Sequence, residues 1–385
     1  MPSRPFARRA AVVALLSLTP LSLITRAAAA QTATIVVSDT VSVRFGFLSQ
    51  TWADFSENVR QDSSVAQNIF LRRMRLMMAG QVGSHLTFFF QTDSPNLGRV
   101  GGGFNRSGSP ALIIQDAILE VQPGSGSEFL LDAGLLYVPL CRSCSGNAAL
   151  LLPLDFNSYT FLSTPLAGLS VGHDVGLMAK GYLNDRRIEY RIGAFSGART
   201  SLAGVPPVAT ASNALRGAGR IAVQLLDPEA EVQAYPGTYF GKKRLLSVGV
   251  GADRQGDYAA VSADAFFSHP VGTDGVTASA TFIRYDGGTF FAALPKQDTF
   301  EAEAGWHFNG PGVTPWLKVE GRRIDEAQKS IANQDETRLQ VGATYYIAGH
   351  WANLKAAYTR ATLERFGTSS LAQNGVTVQL QGFFF

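Results

Sequence analysis

Histidine and cysteine are scarce in this chain: 385 residues hold five His and two Cys. The two cysteines, Cys141 and Cys144, are followed by Ser145 where c-type haem attachment requires His, so no such haem is anchored there. A zinc site at the pair would need two further ligands, and the nearest candidate, His173, supplies one. A thioredoxin-like site has the spacing but lacks its βαβ scaffold. Charge is sparse too, at 16% of residues and without a long run of one sign, which gives nucleic acid nothing to hold. No Pro/Ser-rich linker divides the chain, and beyond residue 30 no apolar window reaches the length of a membrane-spanning helix.

What is present begins with a targeting segment. "MPSRPFARRA" is basic, "AVVALLSLTPLSLI" is an apolar core too short to span a bilayer, and "TRAAAA" supplies small residues for cleavage. Residues 1–30 are therefore expected to be a cleaved signal peptide and 31–385 the mature protein. The leader carries Arg4, Arg8, Arg9 and Arg26, so 33 basic residues fall to 29 against 30 acidic ones, a net charge of −1.

Apolar residues recur with a period of two. "DTFEAEAGWHF" sets Phe300, Ala302, Ala304 and Trp306 against Glu301, Glu303, Gly305 and His307; "SHLTFFFQTD" sets Leu86, Phe88 and Phe90 against Thr87, Phe89 and Gln91. Sixteen such strands are predicted, over 41–52, 68–81, 84–92, 110–122, 128–138, 171–183, 186–196, 217–227, 245–254, 257–268, 275–286, 298–308, 314–324, 335–347, 350–362 and 375–385. Connections mostly alternate long and short; residues 227–244 break the rhythm, being long where a turn is due. With 46% hydrophobic residues distributed this way, the fold class is all-β, a transmembrane antiparallel barrel with an oily outside and a wet inside.

The stretches "FLRRMRLMMAGQVGSHLTFFFQTD", "IQDAILEV", "HDVGLMAKGYL", "RRIEYRIGAFSG" and the terminal Phe385 resemble the sixteen-stranded porins grouped with the phosphate-selective porins O and P. "GTYFGKKRLLSVGVGAD", "LPKQDTFEAEAGWHF" and "AGHWANLKAAYTR" look closest to porins of selenite- or tellurite-reduction and extracellular electron-transfer gene clusters. The resemblance implies an outer-membrane location, a homotrimer, and a third outer loop folded into the barrel. Its closer form implies a multihaem cytochrome as partner. Two departures stand out. Val376, Val378 and Leu380 are in phase with Phe384 rather than Phe385, so the terminal signal is either read through a bulge or weaker. No basic ladder of the phosphate-selective kind can be mapped, and phosphate specificity is not carried over.

Alternation assigns to the lumen Arg73, Arg75, Lys180, Arg191, Lys318 and Arg322 together with Asp116, Glu120, Asp132, Asp174, Glu189, Glu301, Glu303, His307 and Glu320. Arg73 and Arg75 are either a local anion contact or partners of Asp116 and Glu120 in a structural network. His307 beside Glu301 and Glu303 is the nearest approach to a catalytic group, against the plainer reading of a lumen side chain. Gly-rich 98–108 lacks the Lys-Ser/Thr of a phosphate loop. The connection 138–170 is long, and its "ALLLPLDFNSYTFL" is too apolar to extend freely; it lies along the inner wall as a constriction loop, or over the mouth or against another subunit. An oxidising periplasm favours a Cys141–Cys144 disulfide at its start. The expected function is passive diffusion of small hydrophilic solutes or ions, without metal, cofactor or bond chemistry. The alternatives are a barrel sheathing a cytochrome and, more weakly, an enzyme using His307.

Overall fold

The structure, a computed structural model, describes residues 33–58, 64–99, 112–163, 171–198, 214–229, 233–365 and 367–385. The leader, the Gly-rich residues 100–108 and residues 164–170 of the long connection lie outside these. Seventeen strands occur among the described residues: β1 (Ala33–Ser38), β2 (Val41–Glu57), β3 (Val65–Val82), β4 (Leu86–Asp93), β5 (Ile113–Val121), β6 (Leu130–Tyr137), β7 (His173–Leu183), β8 (Ile188–Phe195), β9 (Arg216–Gln224), β10 (Leu245–Gln255), β11 (Tyr258–Val271), β12 (Asp274–Asp286), β13 (Gln297–His307), β14 (Val313–Ile324), β15 (Glu336–Tyr346), β16 (Ala352–Leu363) and β17 (Leu371–Phe384).

From β2 to β17 each strand pairs antiparallel with the next. β17 returns to β2, from Gly375 opposite Ser56 to Phe384 opposite Phe47, which closes a sixteen-strand barrel. Closure leaves no unpaired edge, the condition for a sheet to sit in lipid. The sixteen predicted strands are the sixteen of the barrel. The seventeenth, β1, was not predicted; it pairs Ala33–Ser38 with the first residues of β2, past the point where β17 ends. Residues 227–244, where two further strands would have fitted, add none among the described residues.

Period two now has a physical meaning. Leu177, Val250, Val261, Leu317, Val341 and Leu380 face outward and are exposed, while their strand neighbours Lys180, Glu189, Lys318, Thr344 and Gln379 are buried inside. An outward Leu covered by lipid rather than water stabilises the barrel by about 2 kcal/mol. Glycine closes two hairpins of two residues, at Gly256 and Gly272, both with φ of +61°, the left-handed geometry that such turns require. Register slips where Gln50 faces Arg73 and Thr51 faces Leu71. Arg72 is the extra residue of a bulge there, so both Arg72 and Arg73 are buried on the inside.

At the C-terminus the pairing of β17 with β2 runs without a slip, which removes the bulge reading. Phe384 meets Phe47 at 6.4 Å between ring centres, and Phe385 turns inward to meet Phe89 at 5.7 Å. The phase departure is thus a terminal ring inside the barrel.

Candidate functional site: two segments that meet inside the barrel

The long connection leaves β6 at the end of the barrel that carries the long loops. Its described part, 138–163, is hydrogen-bonded by inward side chains of distant strands. On β2 and β17, Gln50 donates to the Ala148 carbonyl at 3.0 Å and Gln381 to that of Ala149 at 2.9 Å. Lys355 of β16 donates to the carbonyls of Leu151 and Pro153 at 2.6 and 2.7 Å, and Lys318 of β14 to that of Asp155 at 2.9 Å. Opposite these, Ser262 of β11 donates to the Leu140 carbonyl and Tyr285 of β12 to that of Thr160. Unpaired backbone carbonyls are costly away from water, and the wall supplies donors to them one by one.

Asp155 is the ionic latch of this segment. Its carboxylate takes Arg72 at 2.9 Å and Arg73 at 2.5 Å. Ser158 donates to Glu320 at 2.7 Å, and Glu320 in turn holds Lys318 at 2.9 Å. Cys141 and Cys144 are joined by a disulfide. They are buried beside Leu140, Tyr258, Ile283, Tyr285 and Leu294 rather than at an exposed loop tip. Closing so short a loop contributes roughly 2 kcal/mol on the chain-entropy model. Intact mass after alkylation in denaturant is expected to show no added label without reductant and two with it; two labels without reductant would disprove the bond.

A second segment comes from the opposite end, where the other connections are short. Residues 233–244, between β9 and β10, run beside the first segment. Tyr235 donates its N–H to the Ser145 carbonyl at 2.8 Å, Asn147 donates to the Tyr235 carbonyl at 2.9 Å, and Gly237 donates to Leu150 at 2.9 Å. The Tyr235 ring lies under three guanidiniums, with Arg142 at 4.4 Å, Arg191 at 4.8 Å and Arg220 at 5.4 Å from its centre. Its hydroxyl donates to Glu189 at 2.6 Å. Glu229 receives Arg142 and the Tyr239 hydroxyl, fastening this connection to the first segment. Burial would raise the Glu229 carboxyl, yet the Arg142 charge and these hydrogen bonds more than offset it and hold the group below its ordinary range. Phe240, at a φ of 55°, packs against His307 at 4.9 Å and His350 at 4.5 Å. Burial, with Lys355 nearby, pushes the His350 imidazole down to about 3, so it stays neutral.

All the predicted lumen residues point inward, but they do not form an open lining. Arg73, Arg75, Asp116, Asp132, Asp174, Lys180, Glu189, Arg191, Glu301, His307, Lys318 and Glu320 are buried; Glu120, Glu303 and Arg322 are partly so. Arg73 and Arg75 pair with neither Asp116 nor Glu120. Arg73 serves Asp155, and Arg75 holds Asp93 at 2.9 Å. Asp116 instead takes Gln91 at 2.6 Å and His173 at 2.9 Å, while Lys180 bridges Glu120 at 2.6 Å and Asp132 at 2.8 Å. Asp174 contacts Arg216 at 3.4 Å, Glu189 pairs with Arg191 at 2.7 Å, and Arg322 stacks on Tyr159. Glu301 and Glu303 border a cavity of about 50 Å³ beside Ser143 and Thr281. His307 bonds Thr314 at 2.8 Å and Asn309 at 3.2 Å, with neither a serine nor a carboxylate among its hydrogen-bond partners. Among the described residues no His, Cys, Asp and Glu cluster could hold a metal.

Alternation missed Arg72, because the bulge takes it out of phase, and Arg142, Asp155, Glu229 and Tyr235, because loops have no period. Arg220 with Asp264 at 2.6 Å, and Arg216 with Asp253, lie on strands and share the inward phase; that signal was available for them.

No protein-family model matches the chain, and no curated protein matches it in sequence. Solved structures do match. The anion-selective porin from Comamonas acidovorans superposes with a TM-score of 0.58 at 12% identity, over 89% of this chain and 100% of that one. The outer membrane channel DcaP of Acinetobacter baumannii gives 0.58 at 12% identity, over 91% and 99%. OmpT, an outer membrane protein of Vibrio cholerae in its trimer form, gives 0.51 at 12% identity, over 90% and 100%. At such identities the likeness is one of fold, and that fold, a closed antiparallel barrel of sixteen strands, is the one found in outer-membrane porins.

Proposed function

We propose that the protein is an outer-membrane porin, exported by a leader over 1–30, that lets small hydrophilic solutes or ions diffuse through a lumen narrowed by the connection 138–170. No bond is made or broken. The observation that carries this reading is the pairing of an apolar outer face with an ionic interior that grips the described part of that connection from nine strands. A homotrimer is part of the proposal, in keeping with the trimer form of the V. cholerae protein.

Selectivity is expected to be weak. Arg72, Arg73, Arg75, Lys180 and Lys318 each have a carboxylate partner inside the barrel, so a passing anion meets few free cations of the kind a dehydrating filter needs. In planar bilayers the purified protein should give small, steady conductance steps, a reversal potential near zero in asymmetric potassium chloride, and no block of chloride current by added phosphate. A barrel that never conducts would defeat the porin reading, and phosphate block at low concentration would restore the phosphate-selective one. The cytochrome-sheath reading draws no support from the interior, where the cavity beside Phe89 and Phe385 measures about 580 Å³.

A further inference from the structure

One cavity inside the barrel has the wrong lining for a simple water path. It lies toward the short-turn end of the barrel, measures about 580 Å³, and is bordered by Phe89, Phe385, Tyr137, Met77, Gln91 and Arg44. Inward positions of a diffusion barrel are ordinarily polar; here five aromatic side chains, Phe88 and Phe383 with the three just named, border the same space. The arrangement has been given room in the sequence. A side chain at Gly46 would place its first carbon 2.3 Å from the Phe385 ring, so glycine there is what admits the terminal ring to the interior. Phe89 meets that ring nearly at right angles, which leaves flat aromatic surface facing the cavity.

Charge around the cavity is unequal. Arg75 is tied to Asp93 and Glu120 to Lys180. Arg44 has no ion pair with an acidic group among the described residues, and its guanidinium sits 4.2 Å above the centre of the Phe385 ring. The Tyr137 hydroxyl, also without a hydrogen-bond partner among the described residues, borders the same space. Asn147 and Gln233, one from each of the two internal segments, also border the cavity.

We propose that this chamber is a binding site for small aromatic anions, an aryl carboxylate or sulfonate. The aryl ring would lie against Phe89 and Phe385, and the anionic head would reach Arg44 and the Tyr137 hydroxyl. A cavity of this volume with an apolar wall and a few convergent polar groups is what small-molecule recognition uses, and a guanidinium already stacked on one ring is placed to take both the charge and the edge of another.

The site does not depend on conduction, so its test is made on the full-length barrel in detergent with naphthalene-2-sulfonate, whose own fluorescence reports binding. Saturable binding is expected, with 2-naphthylmethanol and methanesulfonate each weaker by about tenfold or more, since each lacks one of the two contacts. Arg44→Gln and Phe89→Ala should each weaken the sulfonate severalfold, while Arg284→Gln, at the long-loop end, should not. Arg44→Gln lies on an exposed stretch of β2 and should leave the barrel folded, as judged by its resistance to unfolding in cold SDS. No saturable binding, or binding that both variants leave unchanged, would overturn the proposal. Loss of conductance with binding intact would overturn the porin reading alone.

Discussion

Asp155→Ala is expected to raise single-channel conductance severalfold and to lower the unfolding temperature. Asp155 takes two buried guanidiniums, those of Arg72 and Arg73, at 2.9 and 2.5 Å. Removing one partner of a buried ion pair costs about 3–5 kcal/mol, because the other charge stays behind without compensation. Two arginines would lose the carboxylate they share here, and the least costly relief is for the segment around 150–160 to leave the wall and admit water. Lys318 still holds the Asp155 carbonyl and Lys355 those of Leu151 and Pro153, so the segment should loosen rather than leave altogether. Adding Lys355→Met should increase conductance further. Asp155→Asn keeps the shape and loses the charge, and should fall between wild type and alanine. Conductance unchanged in all three variants would mean that the ions pass elsewhere.

Acid is expected to release the second segment, and only below the ordinary glutamate range. Glu229 faces Arg142 and Tyr239 directly, with the Lys243 charge nearby, and these hold its carboxyl low against the opposing effect of burial. A carboxylate depressed in the folded state contributes stability that is fully present above its unfolded value and is lost as pH falls through the folded one. From pH 7 down to the ordinary glutamate value of about 4.3 the Arg142–Glu229 clamp should therefore be constant, and it should weaken only below that. Current recorded through that range should become noisier and larger below the threshold. Glu229→Gln should show the noisy current already at neutral pH, with little further change on acidification. A transition centred near pH 6 would point to a different group.

The barrel was legible in the sequence because one physical fact, lipid outside and polar groups inside, writes itself at every second residue. β1 escaped because "ATIVVS" has adjacent apolar residues, Ile35, Val36 and Val37, all exposed, and so carries no alternation. Arg72 escaped because a single extra residue shifts the phase. The interior was legible as a set of inward side chains and illegible as a set of partners. Arg73 and Arg75 differ by two positions and share a face, yet one reaches a loop residue 82 positions away and the other a strand residue 18 positions away. Nothing in local spacing distinguishes them, because the partner is chosen by where a non-periodic segment comes to rest.

The same segment bears on how the molecule is assembled. Gln50 and Gln381 belong to the first and last strands of the barrel, bond each other at 2.8 Å, and grip the adjacent carbonyls of Ala148 and Ala149. These last two contacts join residues 98 and 232 apart in the chain, and the second can form only once the last strand is in place. The middle of the polypeptide is thereby a stitch across the join, tied from within. Contacts of such separation form late, and a barrel sewn in this way resists parting sideways at the line where its two ends meet.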